Sequence, residues 1–378
     1  MVQRALRAVF MRGGTSKGLM LHAGDLPADR EAWTEILCGA MGSPDVYGRQ
    51  LDGMGGGVTS LSKACVIAAP TREDADVDYT FAQVMIGARR VEYRSNCGNM
   101  SSAVGPFALD EGLVAASAST GVVRIHNTNT AKIIRATFEV RDGRAHYDGD
   151  LVIPGLSAPG SAIRLDFLEP GGATTGQLLP TGRVRDEIHL PGRAPIDVSL
   201  VDAANATVFV DAAAVGLAGT ELPSDLEQRR DVLTLLEDLR RHASVAMGIT
   251  ADLTQAAAVT SVPFVCVVSS PQASSTLSGE VLAAAEVDLV ARAISNGQPH
   301  RALPLTVALC TAVAARLEGT VVADATGEVD RELRVAMPSG VVPVDADVEV
   351  RDGDVTALSG SFYRTARRLF DGRVWYRA

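Results

Sequence analysis

Apolar and polar residues alternate in short runs along most of this chain, and a few stretches show helical spacing instead. Ala5 to Phe10 reads as a strand. Asp29 to Met41 reads as a helix, with Glu31, Trp33, Ile36, Leu37 and Ala40 on a mixed face and Gly42-Ser43-Pro44 as its stop. Ala64 to Ala68 is an apolar strand. Tyr79 to Ile86 and Arg89 to Arg94 pair as a hairpin around Gly87-Ala88, and Ser101 to Leu109 is helical. Strands follow at 122–125 and 132–140, with Asp142-Gly143 as a hairpin turn. Pro154 to Pro180 is rich in Gly, Pro, Ser and Thr and holds one strand, Ala162 to Leu168. In the second half, 206–210, 262–269 and 331–336 read as strands. The clearest helix is Leu226 to Met247, where Val232, Leu235, Leu236, Leu239 and Ala243 share a face. A polar corner, Asn296-Gly297-Gln298-Pro299-His300, precedes an apolar helix from Ala302 to Leu317. Met337-Pro338-Ser339-Gly340 turns, Asp352-Gly353 marks a hairpin, and Phe362 to Phe370 carries Arg364, Arg367 and Arg368.

The two halves rhyme. In each, a polar corner leads into an apolar helix, strands follow, and Val-Arg-Asp-Gly closes a turn, at 140–143 and 350–353. The shared order of elements is evidence for a duplicated domain. A chain of 378 residues is also too long for one small core. The expected boundary lies near Arg183–Asp202: a first lobe of 1–185, a second of 186–361, and a terminal segment, about 362–378, placed to pack back on the first.

Composition narrows the classes of function. Hydrophobic content of 47% and charged content of 21% suit a globular protein. A net charge of −10 and only 4% aromatics argue against a nucleic-acid partner. No apolar run has membrane-spanning length and the N-terminus lacks a signal-peptide core, so a cytoplasmic, reducing setting without a membrane partner is expected. The five Cys are widely spaced, forming neither metal-ligand pairs nor a disulfide framework, and no Gly-x-Gly-x-x-Gly follows a strand. No metal or organic cofactor is therefore expected.

The candidate chemistry gathers at Ser95-Asn96-Cys97-Gly98-Asn99-Met100-Ser101. A strand-like run enters this stretch and a helix leaves it. Cys97 thus sits at a helix N-terminus, where unpaired N–H groups favour a thiolate or a bound carboxylate. A Cys that only packs is the commoner outcome for a lone thiol. Met11 to Gly18 is a Gly-rich loop with Arg12, Thr15, Ser16 and Lys17, able to nest a carboxylate, though not with Walker spacing. Gly53 to Lys63 is a second such loop, with Thr59 and Ser60, and ends at Lys63. A half-buried Lys there is a usable base; a solvated one is the bland alternative. Cys38, Cys65, Cys266 and Cys310 lie in apolar elements and read as packing residues.

Three motifs together resemble a known family: Met-Arg-Gly-Gly-Thr-Ser-Lys-Gly at 11–18, Gly-Gly-Gly-Val-Thr-Ser-Leu-Ser-Lys at 55–63 and Asn-Cys-Gly-Asn-Met-Ser-Ser-Ala-Val-Gly-Pro-Phe-Ala at 96–108. The chain looks like a member of the PrpF family of carbon–carbon double-bond isomerases, which includes aconitate and methylaconitate isomerases and 4-oxalomesaconate tautomerases. The similarity extends to Gln298-Pro299-His300-Arg301-Ala302, Pro338-Ser339-Gly340 and 364–368, and so spans essentially the whole chain. It implies an α+β, diaminopimelate epimerase-like fold: two pseudo-symmetric lobes, each a curved, mostly antiparallel sheet around a central helix, with the site between them. It implies Lys63 and Cys97 as catalytic residues and a small polycarboxylate as substrate. Substrate binding is expected from Arg12, Thr15, Ser16, Lys17, Thr59, Ser60, Asn96, Gly98, Asn99, Met100 and Ser101. In the second lobe it is expected from His300, Ser339 and Gly340.

The chain departs from an epimerase of that fold, which uses one Cys from each lobe. Here the second corner carries Gln298-Pro299-His300. Lys63 and Cys97 shuttling protons on one side of an unsaturated acid is the leading expectation. A two-base epimerase or racemase and a non-catalytic carboxylate binder are the alternatives. The choice among substrates and the oligomeric state, a homodimer among the options, stay open.

Overall fold

The structure, a computed structural model, describes residues 3–93, 97–115, 119–351 and 354–377. The chain divides into two compact units, 1–166 with 363–378, and 167–362. The expected boundary near 185 therefore moves to 166/167. The reason is local. The loop after residue 168 is tied to strand Ile196–Ala203: Asp202 accepts from the Thr174 and Thr175 N–H groups and from the Thr175 hydroxyl, and the Gly172 N–H donates to the Asp202 carbonyl.

In the first unit, β1 (Gln3–Gly13) lies between the C-terminal strand Ala366–Arg377 and β2 (Ser16–His22), antiparallel to both. β2 runs parallel to β3 (Lys63–Ala68), which is antiparallel to β4 (Val77–Val84). β4 is parallel to Thr120–Asn127, itself antiparallel to Lys132–Arg141. Alternation gives the sheet two apolar faces. Leu6, Ala8, Phe10, Leu19, Leu21, Ala64, Val66, Ala82 and Val84 pack with Trp33, Ile36, Leu37, Ala40 and Met41 of α1 (Trp33–Met41). The other face receives α2 (Gly98–Asp110), whose residues from Met100 to Leu109 are all buried. Such a helix, without a polar stripe, belongs inside a core. It touches strands from one end of the sheet order to the other, so the sheet curls around it.

The second unit repeats this order. Asp186–Ile188, Ile196–Ala203 and Asn205–Asp211 are successively antiparallel; Phe264–Ser269 is parallel to the third and antiparallel to Leu289–Ser295. Leu333–Met337 is then parallel to Leu289–Ser295 and antiparallel to Gly340–Arg351. The central helix is Leu305–Ala315, buried from Val307 to Ala314. A crossover helix, Arg230–Ala246, covers the other face with Val232, Leu235, Leu236, Leu239 and Ala243, the stripe read from the sequence. The single helix expected over 226–247 is in fact two, because Arg229 leaves helical geometry (φ −90°, ψ 67°) after Pro223–Gln228. The central helix starts three residues later than expected, since Pro304 occupies the N-cap. Asp352-Gly353 lies outside the described residues; Arg351 and Asp354 on either side are paired. Among the described residues no helix is long and apolar enough to cross a membrane.

Asp288 ties the second unit together at the mouth of strand Leu289–Ser295. It accepts from Nη1 and Nη2 of Arg331 (2.9 and 2.7 Å), and from the N–H (2.8 Å), Nε (3.1 Å) and Nη2 (2.8 Å) of Arg334. Burial alone would raise this carboxyl, but the hydrogen bonds from Arg334 and Arg331 outweigh it and hold the group far below the usual carboxylate range. A depressed folded value stabilises above the unfolded value of about 3.9, and that stability is lost as pH falls below it. Asp288→Asn should lower the melting temperature at pH 7, by the equivalent of ~1–3 kcal/mol given the solvent-screened arginines, and flatten its decline below pH ~4. Thermal melts of both proteins between pH 3 and 7 check this; parallel curves would refute it.

Candidate active site

Residues 11–18 are a tight hairpin rather than an open loop. Met11 pairs with Gly18, Arg12 with Lys17 and Gly13 with Ser16, leaving a two-residue turn at Gly14-Thr15. Alternation therefore divides the motif. Met11, Gly13, Ser16 and Gly18 share the face that α2 covers, and Arg12 and Lys17 share the opposite one. A Cβ on Gly13 would meet the Asn99 carbonyl oxygen at 2.5 Å, so this face admits only glycine against the first turn of α2. The Lys17 amine lies over the Phe10 ring, 5.8 Å from its centroid. The Arg12 guanidinium donates to the carbonyls of Gly14 (2.9 Å) and Thr365 (3.0 Å) and to the Thr365 hydroxyl (2.9 Å). Arg12 thus clamps the turn to the C-terminal strand, and Lys17 packs on an aromatic ring, both on the sheet face away from α2.

Cys97 is the N-cap of α2 and is partly exposed. Among the described residues no side chain caps this end, and the first N–H groups of the helix, from Gly98, Asn99 and Met100, have no intrahelical acceptors. Ser101 closes the turn, its N–H and hydroxyl both donating to the Cys97 carbonyl (2.9 and 3.0 Å). Its hydroxyl also bonds the Tyr79 phenol. The Met100 and Ser101 side chains are both fully buried, so of the two it is the backbone that belongs to the helix start. The Asn99 amide donates to the Thr15 hydroxyl (3.2 Å) and accepts from Arg364 Nε (3.2 Å). Arg364, which the sequence reading did not place in the site, is buried, and burial pushes its guanidinium down to about 10. Ser16 is buried beside this turn. Asn96 lies outside the described residues.

Lys63 opens β3 and is only 8% exposed. It reaches the site face because Ala64 and Val66 occupy the α1 face. A Cβ on Gly18, its neighbour in β2, would meet the Lys63 carbonyl oxygen at 2.6 Å, so the strands approach closely here. The Lys63 amine donates to Gln83 Oε1 at 2.6 Å and lies 4.9 Å from the Phe81 ring centroid. Two residues along the same face, the Cys65 thiol meets the Tyr79 hydroxyl at 3.8 Å. Burial, then the neighbouring Cys97 charge, push the Cys65 thiol up, and Lys63 acts on it in the opposite sense. Cys65 is thus within electrostatic reach of both Lys63 and Cys97. Thr59 and Ser60 form part of a short 3-10 turn just before Lys63, and Thr59 offers its carbonyl to the Gln83 amide.

Gln83, Tyr79 and Arg364 are the residues that the sequence reading missed. Gln83 was legible only as a polar position inside an apolar strand; its partner depends on the β3–β4 register, which pairs Lys63 with Gln83.

His300, Ser339 and Gly340 belong to the second unit. His300 Nε2 and the Ser295 hydroxyl are 2.7 Å apart, the ring packs on Phe264, and burial holds the imidazole below its ordinary value. Pro338 and Ser339 form the turn between Leu333–Met337 and Gly340–Arg351, and Gly340 pairs with Met337; the Ser339 hydroxyl is buried with no hydrogen-bond partner among the described residues. Cys266 and Cys310 are fully buried, each pushed up to about 12 by that burial. A surface groove of about 640 Å³ in the first unit is lined by Cys38, Tyr47, Arg49, Trp375 and neighbours, and by none of the expected site residues.

The family described as PrpF protein matches residues 3–377. The 3-methylitaconate isomerase of Eubacterium barkeri is 40% identical over 99% of this chain and 97% of its own length. The 2-methyl-aconitate isomerase of Cupriavidus necator is 36% identical over 98% and 97%. Among solved structures, methylitaconate-delta-isomerase superposes with a TM-score of 0.92 at 40% identity, covering 99% of this chain and 96% of that one. A hydroxyproline epimerase from Agrobacterium vitis superposes with a TM-score of 0.52 at 11% identity, covering 98% and 93%, which establishes the shared α+β epimerase-like fold and nothing further. The doubled curled sheet, the Cys-capped central helix and these matches, which run from one end of the chain to the other, lead to one conclusion: this chain belongs to the PrpF family.

Proposed function

We propose that this protein is an isomerase that moves a carbon–carbon double bond along an unsaturated di- or tricarboxylate, with Lys63 and Cys97 carrying the protons. The observation behind this reading is a buried amine, Lys63, held by a neutral amide on the same sheet face as a helix start capped by the partly exposed Cys97. The neutral Lys63 amine removes a proton from the allylic carbon. The released electron pair delocalises through the double bond into a carboxylate, giving an extended enolate. Protonation at the far carbon, from the Cys97 thiol or the Lys63 ammonium, moves the double bond and consumes nothing else. The N–H groups opening α2, with Thr15, Ser16 and Asn99, supply donors for the carboxylate as charge develops there. Arg364 adds a cation behind Asn99.

The internal repeat counts against a two-base epimerase. Strand Phe264–Ser269 holds the place in the second unit that β3 holds in the first, and it opens with Phe264 where β3 opens with Lys63. The second central helix is capped by Pro304 where α2 is capped by Cys97.

Methylitaconate and methylaconitate, named for the relatives, together with aconitate and 4-oxalomesaconate, are the acids to offer. Proton NMR in deuterium oxide should show the double bond moving in at least one of them, with deuterium at the newly saturated carbon. Exchange at a stereocentre without double-bond movement, or inertness toward the whole panel, would overturn the proposal.

A further inference from the structure

Among the described residues, the short polar contact of the Lys63 amine is with an uncharged partner, and that partner is itself immobilised. The Gln83 amide nitrogen donates to the Thr59 carbonyl at 3.1 Å and the Ser62 carbonyl at 2.9 Å. Both neighbours are acceptors, so the amide cannot turn over: its NH₂ must face them and its oxygen must face Lys63. That oxygen lies 2.6 Å from the Lys63 amine. The two carbonyls come from the short turn and the residue immediately preceding Lys63, so the same segment that delivers the lysine also locks its partner. The cross-strand register, Lys63 opposite Gln83, keeps the pair together.

We propose that Gln83 is the positioning residue for Lys63, aiming its amine and, by being neutral, leaving it free to give up a proton. The chemistry explains why an amide suits this place. A long, flexible lysine loses reach unless something fixes it, and most hydrogen-bond acceptors strong enough to do so are carboxylates. A carboxylate within 3 Å would hold the amine as an ammonium ion and remove its basicity near neutral pH. An amide oxygen supplies the direction without the charge. The amine keeps lone-pair character when deprotonated, and after accepting the substrate's proton it can still donate to Gln83.

This inference rests on Lys63 being the base, and the test separates the two. Gln83→Glu supplies the carboxylate; Gln83→Met keeps the length but removes both the aim and the lock. The readout is kcat and KM for the double-bond shift from pH 6 to 10, with folding followed by melting temperature. In Gln83→Glu the acid limb of the kcat profile should move up by about one unit or more, so turnover at pH 7 falls ~10-fold or more and recovers in alkali. In Gln83→Met, kcat should fall by ~10-fold across the range with KM nearly unchanged. A purely structural Gln83 would lower the melting temperature in both variants and leave the shape of the profile alone, and that result overturns the proposal. Lys63→Ala serves as the control. If it is inactive while both Gln83 variants match the parent, only the role of Gln83 falls; if it remains active, the reading of Lys63 falls instead. Should Gln83→Met not fold, the position of the acid limb in Gln83→Glu decides alone.

Discussion

Lys63→Ala is expected to lower turnover by about 10²–10⁴-fold, the usual cost of losing a general base, while the protein stays folded. The substitution leaves the Gln83 oxygen without its donor and opens a small space beside Phe81, a local loss of roughly 1–3 kcal/mol. Substrate binding should survive, because the donors at the start of α2 and the Thr15–Asn99–Arg364 chain do not pass through Lys63. Deuterium uptake from solvent should vanish with turnover, since the missing step is the first proton removal. Cys97→Ser keeps a donor at the helix N-terminus but not an easily ionised thiol, and should retain binding while losing most of the turnover. Steady-state kinetics with isotope exchange check both. An active Lys63→Ala enzyme that still exchanges deuterium would sink the mechanism.

The largest loss of stability is expected at Arg240. Its side chain is almost wholly buried, yet every nitrogen is engaged. Nε and Nη2 donate to the Glu237 carboxylate (2.8 and 2.6 Å), Nη2 to the Ala256 carbonyl (2.7 Å), and Nη1 to the carbonyls of Val259 and Val262 (2.6 and 3.2 Å). One guanidinium therefore closes the end of helix Leu253–Ala258 and the loop after it onto helix Arg230–Ala246. Arg240→Met keeps much of the volume but strands three carbonyls and a carboxylate, a loss of about 3–5 kcal/mol. For a unit of this size that corresponds to a fall in melting temperature on the order of 10 °C. Arg229→Ala, which removes an exposed, solvent-screened pair with Asp231, should leave the melting temperature nearly unchanged and serves as the control. Equal shifts in calorimetry would show that burial of the guanidinium does not matter.

What was legible in the sequence follows from the range of each interaction. Elements set by local spacing were readable: the helix stripe of Val232, Leu235, Leu236, Leu239 and Ala243 is the face that packs. So was the Asp142-Gly143 turn, where both residues have positive φ. The Cys97 corner was readable because a helix-start pattern surrounds it. The face on which Arg12 and Lys17 lie was hidden, because residue type does not give orientation. Their strand register turns them away from α2, and register is a property of two strands that no single stretch displays. Gln83 was hidden for the same reason. The 166/167 boundary was hidden because Asp202 reaches back across the Gly-rich loop to hold it.

The pairing of Gln3 with Arg377 separates the order of synthesis from the order of assembly. When a ribosome has added residue 362, every residue of the second unit exists, but the first still lacks the strand that borders β1. It also lacks Thr365, which holds Arg12, and Arg364, which holds Asn99. The first unit is begun before the second and completed after it, so the hairpin and helix start that meet the substrate's carboxylate in the proposed reaction take their final shape only once residues 364–377 have been made.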